Sequence, residues 1–169
     1  MILRDGTADD APAVLALNHA FVSVLSPLDD GRLAHLVAQA TLYRVAEEQG
    51  RVLAFLLAMG EGADYDSPNY RWFAARYPRF LYIDRIVVAA EVQGLGLGAA
   101  LYRDAFDHAA SLGVARVTCE FDVVPPNRAS AAFHHRLGFR EVGRQALGAG
   151  KVVSLQTFEL ADGAQLSSN

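Results

Sequence analysis

Gln93-Gly94-Leu95-Gly96-Leu97-Gly98 sets three glycines at alternate positions just ahead of an amphipathic stretch. Between a strand and a helix, such a run leaves several N–H groups uncrowded by Cβ and pointing with the positive end of a helix dipole. That arrangement cradles an anion, and three alternating glycines exceed what one tight turn needs. Gly94-x-Gly96-x-x-Ala99 also satisfies a dinucleotide fingerprint, with Glu120 or Asp122 at about the distance of a ribose-binding acid. Two features oppose that second pattern. Ala89 to Gln93 separate the preceding strand from the first glycine, and the chain after Phe121 holds one further helix, too little for a second mononucleotide half. Other chemistry is thinly represented. No His/Cys/Asp cluster has metal-ligand spacing, and no nucleophile elbow occurs. Cys119, the single cysteine, has neither a CxxC partner nor a neighbouring histidine and reads as an inert small hydrophobe.

The loop needs a scaffold, and the composition supplies one. The 169 residues, 52% apolar and 20% charged, suit one domain over residues 1–160, with a polar tail at 161–169 expected to fray. A net charge of −4 gives no positive field to draw nucleic acid or anionic lipid. The charged start Met1-Ile2-Leu3-Arg4-Asp5 leaves no room for a signal peptide, and the longest apolar run, Val52 to Met59, is too short to span a membrane. A soluble cytoplasmic protein is expected, with neither nucleic acid nor membrane as partner.

Ile2 to Arg4 reads as a short strand, followed by helices from about Ala8 to Phe21 and up to about Ala40. Thr41 to Glu47 and Arg51 to Met59 have the spacing of an antiparallel hairpin across Glu48-Gln49-Gly50. A long connection from Gly60 to Arg79 follows, with a short helix suggested near Asn69 to Tyr77. Phe80 to Val88 and Ala115 to Asp122 are strands flanking the helix Gly96 to Leu112, which makes them a parallel pair in a βαβ unit. Asn127 can cap a helix to about Leu137 that Gly138 ends, before a last hairpin from Phe139 to Gly143 and Lys151 to Leu160.

At these residues the chain resembles the GNAT superfamily of N-acetyltransferases. Gln93, Gly96 and Gly98 meet its R/Q-x-x-G-x-G/A motif, and Asn127-x-x-x-Ala131-x-Phe133-His134-x-x-x-Gly138-Phe139 resembles its downstream block. The resemblance covers nearly the whole chain. It implies an α/β fold with a mostly antiparallel sheet of about seven strands, a central parallel pair splayed apart, and about four helices. It further implies acetyl-CoA as co-substrate and no metal. The amides of Gln93, Gly94, Leu95, Gly96, Leu97, Gly98 and Ala99 would bind the pyrophosphate. Backbone of Ile86, Val87 and Val88 would pair with the pantetheine arm, Asn127 and Phe133 would be cofactor-side contacts, and the Val88 N–H would serve a developing oxyanion.

The implied reaction is attack of a neutral amine on a thioester, which needs a base and an acid. Asp84 shares a strand face with Ile86 and Val88, and Glu120 with Thr118 and Asp122, so either carboxylate could be the base. His134 stands where the family places a thiolate-protonating tyrosine. With an ordinary pKa near 6.5 its imidazolium could serve; otherwise it is a helix-surface histidine. The acceptor would be a small-molecule or peptide amine, met by the N-terminal helices and the Gly60 to Arg79 segment. There Asp64 or Asp66 could attract a cation, and Tyr70, Trp72 and Phe73 form a wall or dock a helix. A homodimer is compatible with all of this. Two other functions remain open at this point: an acyl-CoA sensor without turnover, and a nicotinamide-dependent oxidoreductase.

Overall fold

Gln49 and Gly50 both take positive φ, 51° and 77°, the combination a two-residue type I′ hairpin turn requires. The hairpin is therefore one residue tighter than the spacer expected from sequence. In the computed structural model, which describes residues 1–23 and 25–160, the chain begins with strand β1 (Ile2–Asp5), then helices α1 (Ala11–Ala20) and α2 (Asp30–Gln39). The hairpin β2 (Leu42–Glu48) and β3 (Arg51–Gly60) leads through α3 (Pro68–Ala74) to β4 (Leu81–Val88) and α4 (Leu97–Ser111). β5 (Arg116–Val124), α5 (Arg128–Leu137), β6 (Arg140–Leu147) and β7 (Lys151–Glu159) complete it. Among the described residues, seven strands lie in the order β1-β2-β3-β4-β5-β7-β6. One pair, β4 with β5, is parallel and the rest antiparallel, so the mixed α/β architecture is the expected one. The tail at 161–169 lies outside the described residues. Among those described, no helix is long and apolar enough to cross a membrane.

Three boundaries differ from the sequence reading. Ala8–Asp10 is a 3-10 turn and α1 starts only at Ala11, because Pro12 favours the first turn and the Thr7 N–H already donates to Asp10 Oδ2 at 2.8 Å. α3, the helix beyond the four expected, stops at Ala74 because Tyr77 precedes Pro78, and residues before proline avoid helical backbone. β6 runs on to Leu147 instead of ending at Gly143. Gly143 is not a terminator but a bulge position with a close approach: a Cβ there would come within 2.5 Å of Trp72 Cζ2.

The chain divides into two compact units, and β4 and α4 each contribute to both. The first comprises Met1–Tyr65 and Ile83–Ala105. In it β3 is buried from Leu53 to Met59, as a central strand must be, and α1 and α2 bury Val14, Leu33 and Leu36. A fork from Arg4 to Asp10, at 2.8 and 2.9 Å, ties β1 to the turn ahead of α1. That bond from Arg4, outweighing burial, holds the Asp10 carboxyl down at about 2.

The second unit comprises Asp66–Tyr82 and the described part of Phe106–Asn169. Its strands carry aromatics on both faces. Tyr70 and Phe73 of α3 pack on Phe80 and Tyr82, while Phe106 stacks on Phe158 at 4.1 Å beside Phe139. Val117 is in register with Phe158, and Thr118 with Tyr82 and Thr157, so successive β5 residues face these two clusters in turn.

Candidate active site

The glycine loop begins where β4 ends. A 3-10 turn, Ala90–Val92, carries the chain away from the strand, and the Gln93 side-chain amide donates back to the Val88 carbonyl at 3.1 Å. Gly94 and Gly96 then take φ of 81° and 84°. Nothing lies within 4 Å of a Cβ built at either, so the left-handed backbone, not crowding, is what calls for glycine. The Ala100 N–H donates to the Gly96 carbonyl at 3.0 Å and opens the α4 ladder. The N–H groups of the first turn, from Leu97 through Ala99, have no intrahelical acceptor by construction. Gln93, Gly94, Leu95 and Gly96 are exposed, Leu95 at 76%. The Gln93 N–H is taken up by the Ala90 carbonyl at 3.4 Å, and the exposed residues Gly94 to Gly96 stand at the positive end of a fifteen-residue helix, the environment a diphosphate needs.

Within the same unit β4 presents Asp84, Ile86 and Val88 on one side and buries Ile83, Arg85 and Val87 on the other. Asp84 is engaged at both oxygens. Oδ2 accepts from Arg85 Nε at 2.7 Å, and Oδ1 accepts a short hydrogen bond from the Tyr65 hydroxyl. Arg85 Nη1 donates in turn to Asn18 Oδ1 at 2.9 Å and to the Ser26 carbonyl at 3.0 Å. Burial works against the guanidinium charge, but the adjacent Asp84 carboxylate outweighs it, so Arg85 stays charged. Asp84 is thus half of a buried ion pair.

Glu120, in the second unit, has a different partner. Tyr82 OH donates to both of its oxygens, at 2.9 and 2.8 Å. Asn127 caps α5, its Oδ1 accepting from the Ser130 N–H at 3.1 Å, and Phe133 meets His134 edge-on at 5.4 Å. His134 is only 6% exposed, which removes the helix-surface reading. Its Nδ1 lies 2.8 Å from the Ser130 carbonyl, and the rings of Phe121 and Phe139 lie 5.6 and 5.4 Å away. A carbonyl only accepts, so the neutral ring carries its proton at Nδ1. Burial drives the His134 pKa down, and the Ser130 bond offsets this only partly. Burial therefore disfavours the imidazolium relative to an ordinary histidine.

One consequence is measurable. The unfolded chain takes up a proton near pH 6.5 that the folded ring refuses, so stability falls as pH drops below that value until the lowered folded pKa is reached. Urea midpoints measured from pH 7.5 to 5 should decline, and His134→Gln should flatten that part of the decline. An equally steep decline in the variant would contradict the assignment.

The structure thus groups Asp84, Ile86, Val87, Val88 and residues 93–99 in one unit, and Glu120, Asn127, Phe133 and His134 in the other. Glu120 and Phe121 are consecutive on β5 and face opposite sides, so Glu120 and His134, which packs on Phe121, are on different faces of that strand. Of the expected acceptor wall, Tyr70 and Phe73 are buried and dock α3, and Trp72 lies under Arg76 at 3.7 Å and against Gly143. Asp64 is pinned through its N–H to Gln39 Oε1 at 2.8 Å, leaving its side chain 87% exposed. Sequence reasoning missed Tyr65, Tyr82 and Arg85. Arg85 did carry a signal: a charge on the otherwise apolar strand face of Leu81, Ile83 and Val87 demands a buried partner.

The acetyltransferase (GNAT) family model matches residues 16–139. Among solved structures the chain is similar to Ard1 from Thermoplasma volcanium, with a TM-score of 0.76 at 13% identity, over 95% of this chain and 98% of that one. The ribosomal-protein-S18-alanine N-acetyltransferase from Escherichia coli gives a TM-score of 0.70 at 20% identity, over 95% and 94%. The structure of yncA from Salmonella typhimurium with its cofactor acetyl-CoA gives 0.69 at 21%, over 96% and 95%. No curated protein gives a sequence match. With the family model spanning most of the chain, the protein belongs to the acetyltransferase (GNAT) family.

Proposed function

We propose that this chain moves an acetyl group from acetyl-CoA to a primary amine of a small molecule or peptide by direct attack. The observation that carries this reading is the exposed loop Gln93 to Gly96 just ahead of the α4 N-terminus, with positive φ at Gly94 and Gly96. Family membership supports acetyl-CoA as the co-substrate, and the similar yncA structure holds that molecule. An amine acceptor fits the similar enzyme that acts on the alanine of a ribosomal protein.

In this reading the amides of residues 93–99 hold the diphosphate, and the backbone of Ile86, Val87 and Val88 pairs with the pantetheine arm, the Val88 N–H donating to the developing oxyanion. Asn127 and Phe133 line the cofactor side. Glu120 takes a proton from the acceptor ammonium. The amine nitrogen bonds to the acetyl carbon, the carbon–sulfur bond breaks, the nitrogen sheds its second proton to solvent, and the departing thiolate receives a proton. His134 donates that proton in its imidazolium form, which burial makes scarce above neutral pH. The scarcity favours one alternative, an acyl-CoA-binding module without turnover, and gives the test two arms.

Thermal shift with CoA, acetyl-CoA and NAD should show stabilisation by the two thiol cofactors, since a ligand of the native state raises the melting temperature. Gly96→Val forces a β-branched residue into φ near 84°, a strain of roughly 1–3 kcal/mol, so acetyl-CoA affinity should fall about tenfold or more. Release of free thiol with an amine panel then separates enzyme from sensor. Stabilisation by NAD alone would reject both.

A further inference from the structure

Resting on the transfer reading, we propose that Tyr65 is a positioning residue: together with α2 it straps the segment Ala63 to Tyr65 against β4, and the fixed strap sets the affinity for the amine acceptor. Three side chains of one α2 face, at spacings i, i+3 and i+7, are committed to this segment. Arg32 lies over the Tyr65 ring at 5.4 Å, His35 Nε2 meets the Asp64 carbonyl at 3.0 Å, and Gln39 Oε1 accepts from the Asp64 N–H at 2.8 Å. A carbonyl only accepts, so His35 donates from Nε2. Both backbone polar groups of Asp64 are therefore held by one helix, a hold that chain connectivity alone does not require.

The far end of the Tyr65 side chain is fixed to the strand. Its hydroxyl donates to Asp84 Oδ1, Asp84 Oδ2 accepts from Arg85, and Arg85 Nη1 reaches Asn18 Oδ1 and the Ser26 carbonyl. Asn18 Nδ2 donates to the same Ser26 carbonyl at 3.0 Å. One run of contacts thus passes from α2 through Tyr65 to β4 and on to α1, within a single compact unit. Its place on β4 gives it a use. Asp84 precedes Ile86 by two residues on the same side of the strand, roughly 7 Å. On the transfer reading the cofactor runs from residues 93–99 back along Val88, Val87 and Ile86, so an amine approaching the thioester meets the strand just ahead of Ile86, where Tyr65 is held. A segment ordered before the acceptor arrives has no further freedom to lose on binding, whereas a loose one raises KM.

The test uses the full chain, acetyl-CoA, and three acceptors: a peptide with amino-terminal alanine, a lysine peptide, and spermidine. Tyr65→Phe removes every bond the hydroxyl makes and keeps the ring that Arg32 covers. It should raise acceptor KM about tenfold, the contribution of one hydrogen bond to a charged group, with kcat within about threefold and acetyl-CoA affinity unchanged. Hydrogen exchange at the Asp64 amide should quicken in the same variant. Gln39→Ala, which releases the Asp64 N–H without touching the phenol, should move KM in the same direction, and it decides the matter if Tyr65→Phe fails to fold. Val14→Ala is the control for lost stability alone: it opens a cavity in the core of the same unit and should lower the urea midpoint without moving acceptor KM. An unmoved KM, a loss confined to kcat, an unchanged exchange rate, or an equal rise of KM in Val14→Ala overturns the strap while leaving the transfer reading intact. No thiol release by the unaltered chain with any acceptor overturns the transfer reading and this inference with it.

Discussion

Glu120→Gln is expected to lower kcat by about 10²- to 10⁴-fold, the usual contribution of a positioned proton acceptor. The amide keeps the size of the carboxylate and can still accept from Tyr82 OH, so acetyl-CoA affinity and melting temperature should hold. Steady-state thiol release and calorimetric titration with acetyl-CoA report the two quantities separately. Asp84→Asn provides the contrast. Both Asp84 oxygens are already committed, to Arg85 and to Tyr65, so its loss should appear first in stability. A Glu120 variant within threefold of wild type, beside a dead but folded Asp84 variant, would exchange the two roles.

Arg85→Met should cost about 3–5 kcal/mol of stability, read as a lower urea midpoint, because it strands a carboxylate whose side chain is only 3% exposed. The Asn18 side-chain carbonyl and the Ser26 carbonyl lose their shared donor in the same step. The partner experiment is the double variant Asp84→Asn with Arg85→Met. Much of the loss in a broken buried pair is the penalty of the remaining charge, so neutralising Asp84 should restore part of it. A single-variant loss below about 1 kcal/mol, or a double variant worse than the sum of its parts, would show that the pair is not what holds the Ser26 region to β4.

The backbone of the glycine loop was legible because its requirement is local. Glycine at 94 and 96 answers a backbone angle, and no distant residue takes part in that choice. The Asn127 cap and the left-handed Gly138 at the ends of α5 were readable for the same reason, as was the hairpin at Gly50 to within one residue. The βαβ order also followed from sequence, since parallel neighbours need a crossover helix.

His134 shows where that legibility stops. A histidine near a helix end is compatible with surface or interior, and only the packing of Phe121, Phe133 and Phe139 decided for the interior, and with it the lowered pKa. Gly143 read as a terminator because its reason for being glycine, the Trp72 ring, lies far away in the chain. The same holds for the two carboxylates. Types and alternation put Asp84 and Glu120 on strand faces, but which is ion-paired and which meets a phenol depends on Tyr65, Arg85, Asn18 and Tyr82.

By itself, then, the amino-acid order determined the positive-φ glycine loop, the caps, the strand–helix succession and hence the family. Tertiary structure alone decided the chemistry of each ionisable side chain. The physical reason is register: a slip of one residue between β4 and β5 would turn Glu120 to the other face, and no local signal sets that alignment.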